Sequence, residues 1–196
     1  DTLEDGFELA AEAAPAFQGT VMVPLVALLT FLGLLAVGRR HGAPTGLALA
    51  TYIALGIGLH NLGEGLAIGA AFATGAASLG AFLVLGFTLH NVTEGIGIAA
   101  PMLKSRPSLW TFIGLTLLAG APAIVGIWLG SLALTPQWAA LALAVGAGAI
   151  LQVLVELSAY VARGQGGAVK ALTPSILAGL VLGLGVMYAT GMLVKV

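Results

Sequence analysis

Cysteine is absent from all 196 residues, so neither a disulfide framework nor a thiolate metal site is available to this chain, and the redox compartment is left open. Charge is nearly as scarce. Asp, Glu, Lys and Arg make up 8% of the residues, where a soluble domain carries roughly a quarter. A surface so poor in charge cannot face water on all sides. Seven basic residues stand against eight acidic ones for a net charge of −1, which by itself says little about partners; no nucleic-acid partner is expected. No segment resembles a signal peptide, and the chain opens on Asp1 rather than Met, so truncation or processing at the N-terminus is expected.

What is present is apolar: 59% of the residues are hydrophobic, with a mean hydropathy of +1.08. A helical span needs about 20 apolar residues, and short polar breaks divide the sequence into six such runs, at about 17–37, 45–72, 79–100, 109–132, 138–161 and 175–194. The fold expected is an all-α integral membrane protein, one transmembrane domain over residues 1–196 with six transmembrane helices embedded in the lipid bilayer. Ahead of them, residues 1–15 are acidic with Leu3, Phe7, Ala10 and Ala14 as apolar positions, which suits a turn of amphipathic helix at the membrane surface or the tail of an earlier span. Pro101 is placed to end the third run, because it lacks an amide and clashes with the preceding turn.

Arg39 and Arg40, then Lys104 and Arg106, then Arg163 and Lys170 occupy alternate loops, with Lys195 the one exception. Cytoplasmic loops retain Lys and Arg, so the pattern predicts a multi-pass protein of the cell (inner or plasma) membrane with its C-terminus exoplasmic. Small residues should carry the helix packing, since helices in lipid must approach closely to gain dispersion contacts. Gly65/Gly69, Gly126/Gly130 and Gly179/Gly183 have the spacing for it, without indicating which helix meets which.

Of the eight acids, five lie among the first twelve residues, and the other three, Glu64, Glu94 and Glu156, fall inside predicted spans. Two of those belong to a repeat: His60-Asn61-Leu62-Gly63-Glu64-Gly65 and His90-Asn91-Val92-Thr93-Glu94-Gly95. In each copy His and Glu are four apart, one turn along the same helix face. Both pairs fall near mid-membrane on antiparallel neighbours, where four ligands can converge. Imidazole nitrogen with carboxylate oxygen suits zinc and also ferrous iron, manganese or cadmium. An uncompensated Glu in hydrocarbon is costly, so such groups face a cavity, pair with one another or bind an ion. The competing reading is that His and Asn serve as interhelical hydrogen-bonding glue and Glu is held protonated.

Asn61 and Asn91 point about 100° around from the histidines and suit either a neighbouring ligand position or a structural hydrogen bond. The glycosylation sequon at Asn91 is discarded because it lies mid-span. Gly65 and Gly95 leave room for a neighbouring backbone or a hydrated ion. In the fifth run Gln152 and Glu156, one turn apart, form a further polar face whose role is ligand, proton acceptor, gate or simple structural pairing. The candidate metal-site residues are therefore His60, Asn61, Glu64, His90, Asn91, Glu94, Gln152 and Glu156.

On these motifs the chain resembles the ZIP family of divalent-metal transporters, whose fourth and fifth helices carry H-N-x-P-E-G-like motifs along the transport site. The resemblance implies that the six runs are equivalent to helices three to eight of an eight-helix bundle, with the first two missing from this chain. It also implies that His60, Glu64, His90 and Glu94 form the primary metal site, with Asn61 and Asn91 toward an adjoining second one. Three departures stand out. The motif proline is replaced by Gly63 and Thr93, an acid found in some members is Asn91, and a Pro-Glu pair common in the following helix is Pro122-Ala123. They favour one principal ion over a two-metal centre.

The function implied is transport of a divalent transition metal, zinc foremost, toward the cytoplasm by alternating access around a mid-membrane His/Glu site. The ion is cargo rather than cofactor, no enzymatic activity is expected, and a homodimer is possible. Two rivals stay open: an intramembrane metalloenzyme, disfavoured by the lack of HExxH, and a metal-independent proton or ion carrier using His and Glu as relays.

Overall fold

The computed structural model describes residues 19–40, 42–105, 107–132 and 136–194, so the acidic stretch of residues 1–15 and Lys195 lie outside the described residues. Every regular element among them is helical: α1 (Gly19–Gly38), α2 (Gly46–Ala73), α3 (Ala77–Ala99) with a 3-10 turn at Ala100–Met102, α4 (Leu109–Ser131), α5 (Pro136–Gln165) and α6 (Pro174–Val194). The expected all-α architecture is observed. Five helices are long and apolar enough to cross a membrane; the sixth, α6, is apolar over the shorter stretch Pro174–Ala189. Pro101 falls in the 3-10 turn that closes α3, where its missing amide costs no α-helical hydrogen bond. Helix α5 runs four residues past the expected end, to Gln165.

Half of the apolar span of α2, and half of that of α5, is buried inside the protein, against 11–17% for α1, α3 and α4. These two are the inner helices. α2 packs most extensively on α4, then on α5 and α3, while α1 packs on α5 and α6 rests chiefly on α3.

The α2–α4 seam is built on absent side chains. A Cβ at Gly65 or Gly69 would collide with the Ala123 or Ile127 carbonyl oxygen of α4, and one at Gly126 or Gly130 with the Leu62 or Leu66 oxygen of α2. The two sequence-spaced glycine pairs thus meet each other, backbone against backbone, the approach that lets dispersion contacts and weak Cα–H···O contacts accumulate. The third pair does not behave this way: Gly179 and Gly183 on α6 face open space, as does Gly95 of the second motif.

Pro122 interrupts the hydrogen-bond ladder of α4, since it has no N–H for the Leu118 carbonyl one turn earlier. Gly58 of α2 lies directly against that oxygen. One residue on, Ala119 O accepts a hydrogen bond from Asn61 Nδ2 at 3.1 Å. A neighbouring helix thereby supplies polar partners around the break, the usual condition for proline inside a membrane helix.

Helices α2 and α3 are joined by a tight turn. Ala76 N–H donates to Ala71 O at 2.9 Å and Gly75 N–H to Phe72 O at 3.1 Å, the paired bonds of a Schellman motif, with Gly75 at φ +80° in the position that favours glycine. His60 and His90 each stand thirteen residues from the helix end that meets this turn, about 20 Å at 1.5 Å per residue. They are therefore level with one another.

Candidate metal centre

The antiparallel hairpin brings both motifs together, and the lean of helical side chains toward their own N-termini decides how. Glu64 lies one turn nearer Gly75 than His60 and leans back to it; Glu94 lies one turn farther from Gly75 than His90 and also leans back. Both carboxylates therefore tilt toward the level of the histidines.

Glu64 sits at the centre. Its Oε1 is 2.5 Å from His90 Nε2 and 3.4 Å from His60 Nε2, and among the described residues these three form a group whose ligand atoms all lie within 4.8 Å of one another. Glu64 and His90 are buried at 5% and 8% exposure. The Phe87 ring stands edge-on to His90 with centroids 5.4 Å apart, one turn up the same helix, and limits how that imidazole can turn. Glu94 stands outside the tight group but within electrostatic reach of His60, Glu64 and His90. Three of the four expected primary residues thus converge, and the fourth flanks them.

Within the two motifs several buried polar atoms make no protein hydrogen bond: His60 Nδ1, Asn61 Oδ1, Asn91 Oδ1 and Glu94 Oε2. Unpaired buried polar atoms are expensive, more so in lipid, so these four invite a polar or ionic partner. Asn61 has a double role, because its amide nitrogen is already committed to Ala119 O. Asn61→Ala is expected to lower stability in detergent by about 1 kcal/mol, read as a shift in the thermal unfolding midpoint.

Both motif helices run without interruption. Gly63 and Thr93, which stand where the resembled family has proline, introduce no break. Thr93 Oγ1 donates to His90 O at 2.7 Å, the back-bonding typical of Thr within an apolar helix, and Gly63 packs against the Leu143 side chain.

Gln152 and Glu156 are placed elsewhere. Both are buried on α5, at 2% and 1% exposure, and Glu156 does not join the group at Glu64. Gln152 Oε1 faces Gly56 of α2, and Glu156 Oε1 accepts from Arg39 Nε at 3.0 Å. The Arg39 pairing has no counterpart in the sequence reading, where Arg39 and Arg40 serve only to set topology; a contact across 117 positions leaves no local signal.

Comparison of the chain with protein-family models, with curated proteins and with solved structures gives no match in any of the three. The site rests on its own geometry: apolar membrane-length helices and a His60-Glu64-His90 group of metal-ligand chemistry in which Glu64 and His90 are buried and His60 partly so.

Proposed function

We propose that this protein is a transporter of a divalent transition metal, zinc foremost, with His60, Glu64, His90 and the flanking Glu94 as the residues that replace the ion's waters near mid-membrane. The observation that carries this reading is one carboxylate oxygen shared by imidazoles from two antiparallel helices, at equal depth in spans otherwise apolar. A merely structural network would leave fewer oxygens of the two motifs unpartnered.

On this reading the six helices correspond to helices three to eight of a ZIP-type bundle, α6 completing the crossings, with the C-terminus exoplasmic in the cell membrane. Alternating access arises from movement of helix groups around the site, and the tight α2–α4 seam makes that pair a unit that moves together. One principal ion is favoured, since Asn91 and Ala123 supply no carboxylate.

Zinc uptake into liposomes holding the purified chain tests the proposal. His60→Ala and Glu94→Ala are each expected to reduce initial uptake at least about tenfold, in keeping with the cost of losing a group that contacts or orients a ligand. Parent-like uptake in both would remove the site from the transport path.

A further inference from the structure

Glu156 is 1% exposed, deep enough that its charge needs a partner. The partner comes from far away in the chain: Arg39, just past the end of α1, reaches it with Nε at 3.0 Å while the Arg39 side chain itself remains 44% exposed. The pair is half made. Only the guanidinium Nε engages Oε1, and Glu156 Oε2 is buried without a hydrogen-bond partner. A pair selected for rigidity would use the two-pronged geometry that arginine offers a carboxylate.

The position of this pair relative to the metal centre gives it meaning. α5 runs antiparallel to α2, with Gly146 beside His60 and Gln152 beside Gly56. Gly56 lies one turn before His60 on the same face of α2, and Glu156 lies one turn after Gln152 on the same face of α5. Polar atoms therefore step along one seam from His60 to Gln152 to Glu156, toward the ends of α1, α3 and α5 that carry Arg39, Lys104 and Arg163. Gln152 Oε1, like Glu156 Oε2, is buried and unpartnered. Beside the seam, Ile53, Ile57, Ile98, Met102, Leu115 and Val153 form an apolar cluster. Tyr52 Oη, donating to Val37 O at 3.2 Å, ties the end of α1, two residues before Arg39, to α2.

We propose that Arg39 is a tethered cation that closes the basic-loop end of this polar seam by occupying Glu156, and that the seam opens to water when the guanidinium swings out into the solvent it already half faces. The inference rests on the transport reading for its purpose, but its test does not require metal.

The chain has no cysteine, so Gln152→Cys gives a single reporter inside the seam and Ser78→Cys an exposed reference at the other end. In liposomes holding the full chain, a membrane-impermeant methanethiosulfonate is added on the basic-loop side and the labelling rate of Gln152→Cys is measured without metal. Arg39→Gln is expected to raise that rate at least about tenfold, because it leaves the buried Glu156 carboxylate without its cation and so disfavours the closed arrangement. Arg40→Gln should leave it unchanged, and neither should alter labelling of Ser78→Cys applied from its own side. The charge swap Arg39→Glu with Glu156→Arg should restore slow labelling, which a general loosening of the fold would not. Should Arg39→Gln fail to insert, Glu156→Gln is read in the same way. Equal rates at Gln152→Cys in parent and Arg39→Gln, or no rescue by the swap, would overturn the gate while leaving metal binding at His60, Glu64 and His90 untouched. Failed zinc uptake with the labelling pattern intact would overturn the transport reading and keep the gate.

Discussion

Glu64→Gln is expected to weaken zinc binding at least about 100-fold, measured by competition with a chelating dye in detergent. The substitution keeps the shape and one carbonyl oxygen, so it isolates the charge. Both imidazoles of the site face the same Glu64 oxygen, and Glu94 stands outside the group within 4.8 Å. On the proposed function, neutralisation of a dication away from bulk water would fall chiefly to Glu64. Outer-shell partners of metal ligands are worth about 10–100-fold in affinity, and a central anionic ligand should exceed that. The fold should change little, because the Gln amide can still hydrogen-bond His90. An unaltered dissociation constant in Glu64→Gln would mean that the His60-Glu64-His90 group is a structural network and that zinc, if bound, is held elsewhere.

The second large effect concerns the seam that holds the site in place. Gly65→Ala and Gly126→Ala are each expected to destabilise the protein by about 3 kcal/mol, the upper end of the usual range for overpacking. At both positions the new methyl would meet backbone of the facing helix, the Ala123 or the Leu62 carbonyl, and backbone cannot rotate away as a side chain can. Alanine's better helix propensity returns about 1 kcal/mol, too little to offset the collision. Gly95→Ala and Gly179→Ala make the contrast: nothing lies within 4 Å of the added atom, so they should be neutral or slightly stabilising. Thermal unfolding in detergent of the four variants separates the two classes, and equal midpoints for all four would show that α2 and α4 do not approach as described. Because Gly65 follows Glu64, separation of the helices should also weaken zinc binding in Gly65→Ala.

The contrast among glycines marks where sequence reading reaches its limit. Gly65/Gly69, Gly126/Gly130 and Gly179/Gly183 have identical spacing, yet two pairs interlock and the third faces open space. Spacing states that a stripe of small residues exists on one face; which face another helix covers depends on how all the helices assemble. Asn61 and Asn91 are likewise equivalent in their motifs. Only Asn61 lies beside the Pro122 interruption, where the Ala119 carbonyl accepts its amide.

Position along the helices was legible. Because the α2–α3 turn at Gly75 is short and each helix rises regularly, His60 and His90 fall at the same depth, and counting residues suffices to find it. Counting also places His60 with Glu64 and His90 with Glu94 on single faces. It does not tell that Glu64 rather than Glu94 would be the shared carboxylate. The motif repeat treats them alike, and the distinction arises from the rotation of α3 about its own axis relative to α2.

The sequence by itself determined that the chain is helical and apolar enough for a bilayer, where the helices begin and end to within a few residues, and that two His-Asn-x-x-Glu-Gly copies stand level on neighbouring antiparallel helices. Those properties follow from hydrophobicity and helical periodicity, which are local. Only the tertiary structure decided that Glu64 joins both histidines while Glu94 flanks them, that the glycine pairs of α2 and α4 clasp each other, and that Glu156 is claimed by Arg39 rather than by the His60-Glu64-His90 group. Each of these depends on contacts between residues 26 to 117 positions apart, set by helix rotation and close approach, and neither composition nor spacing carries that information.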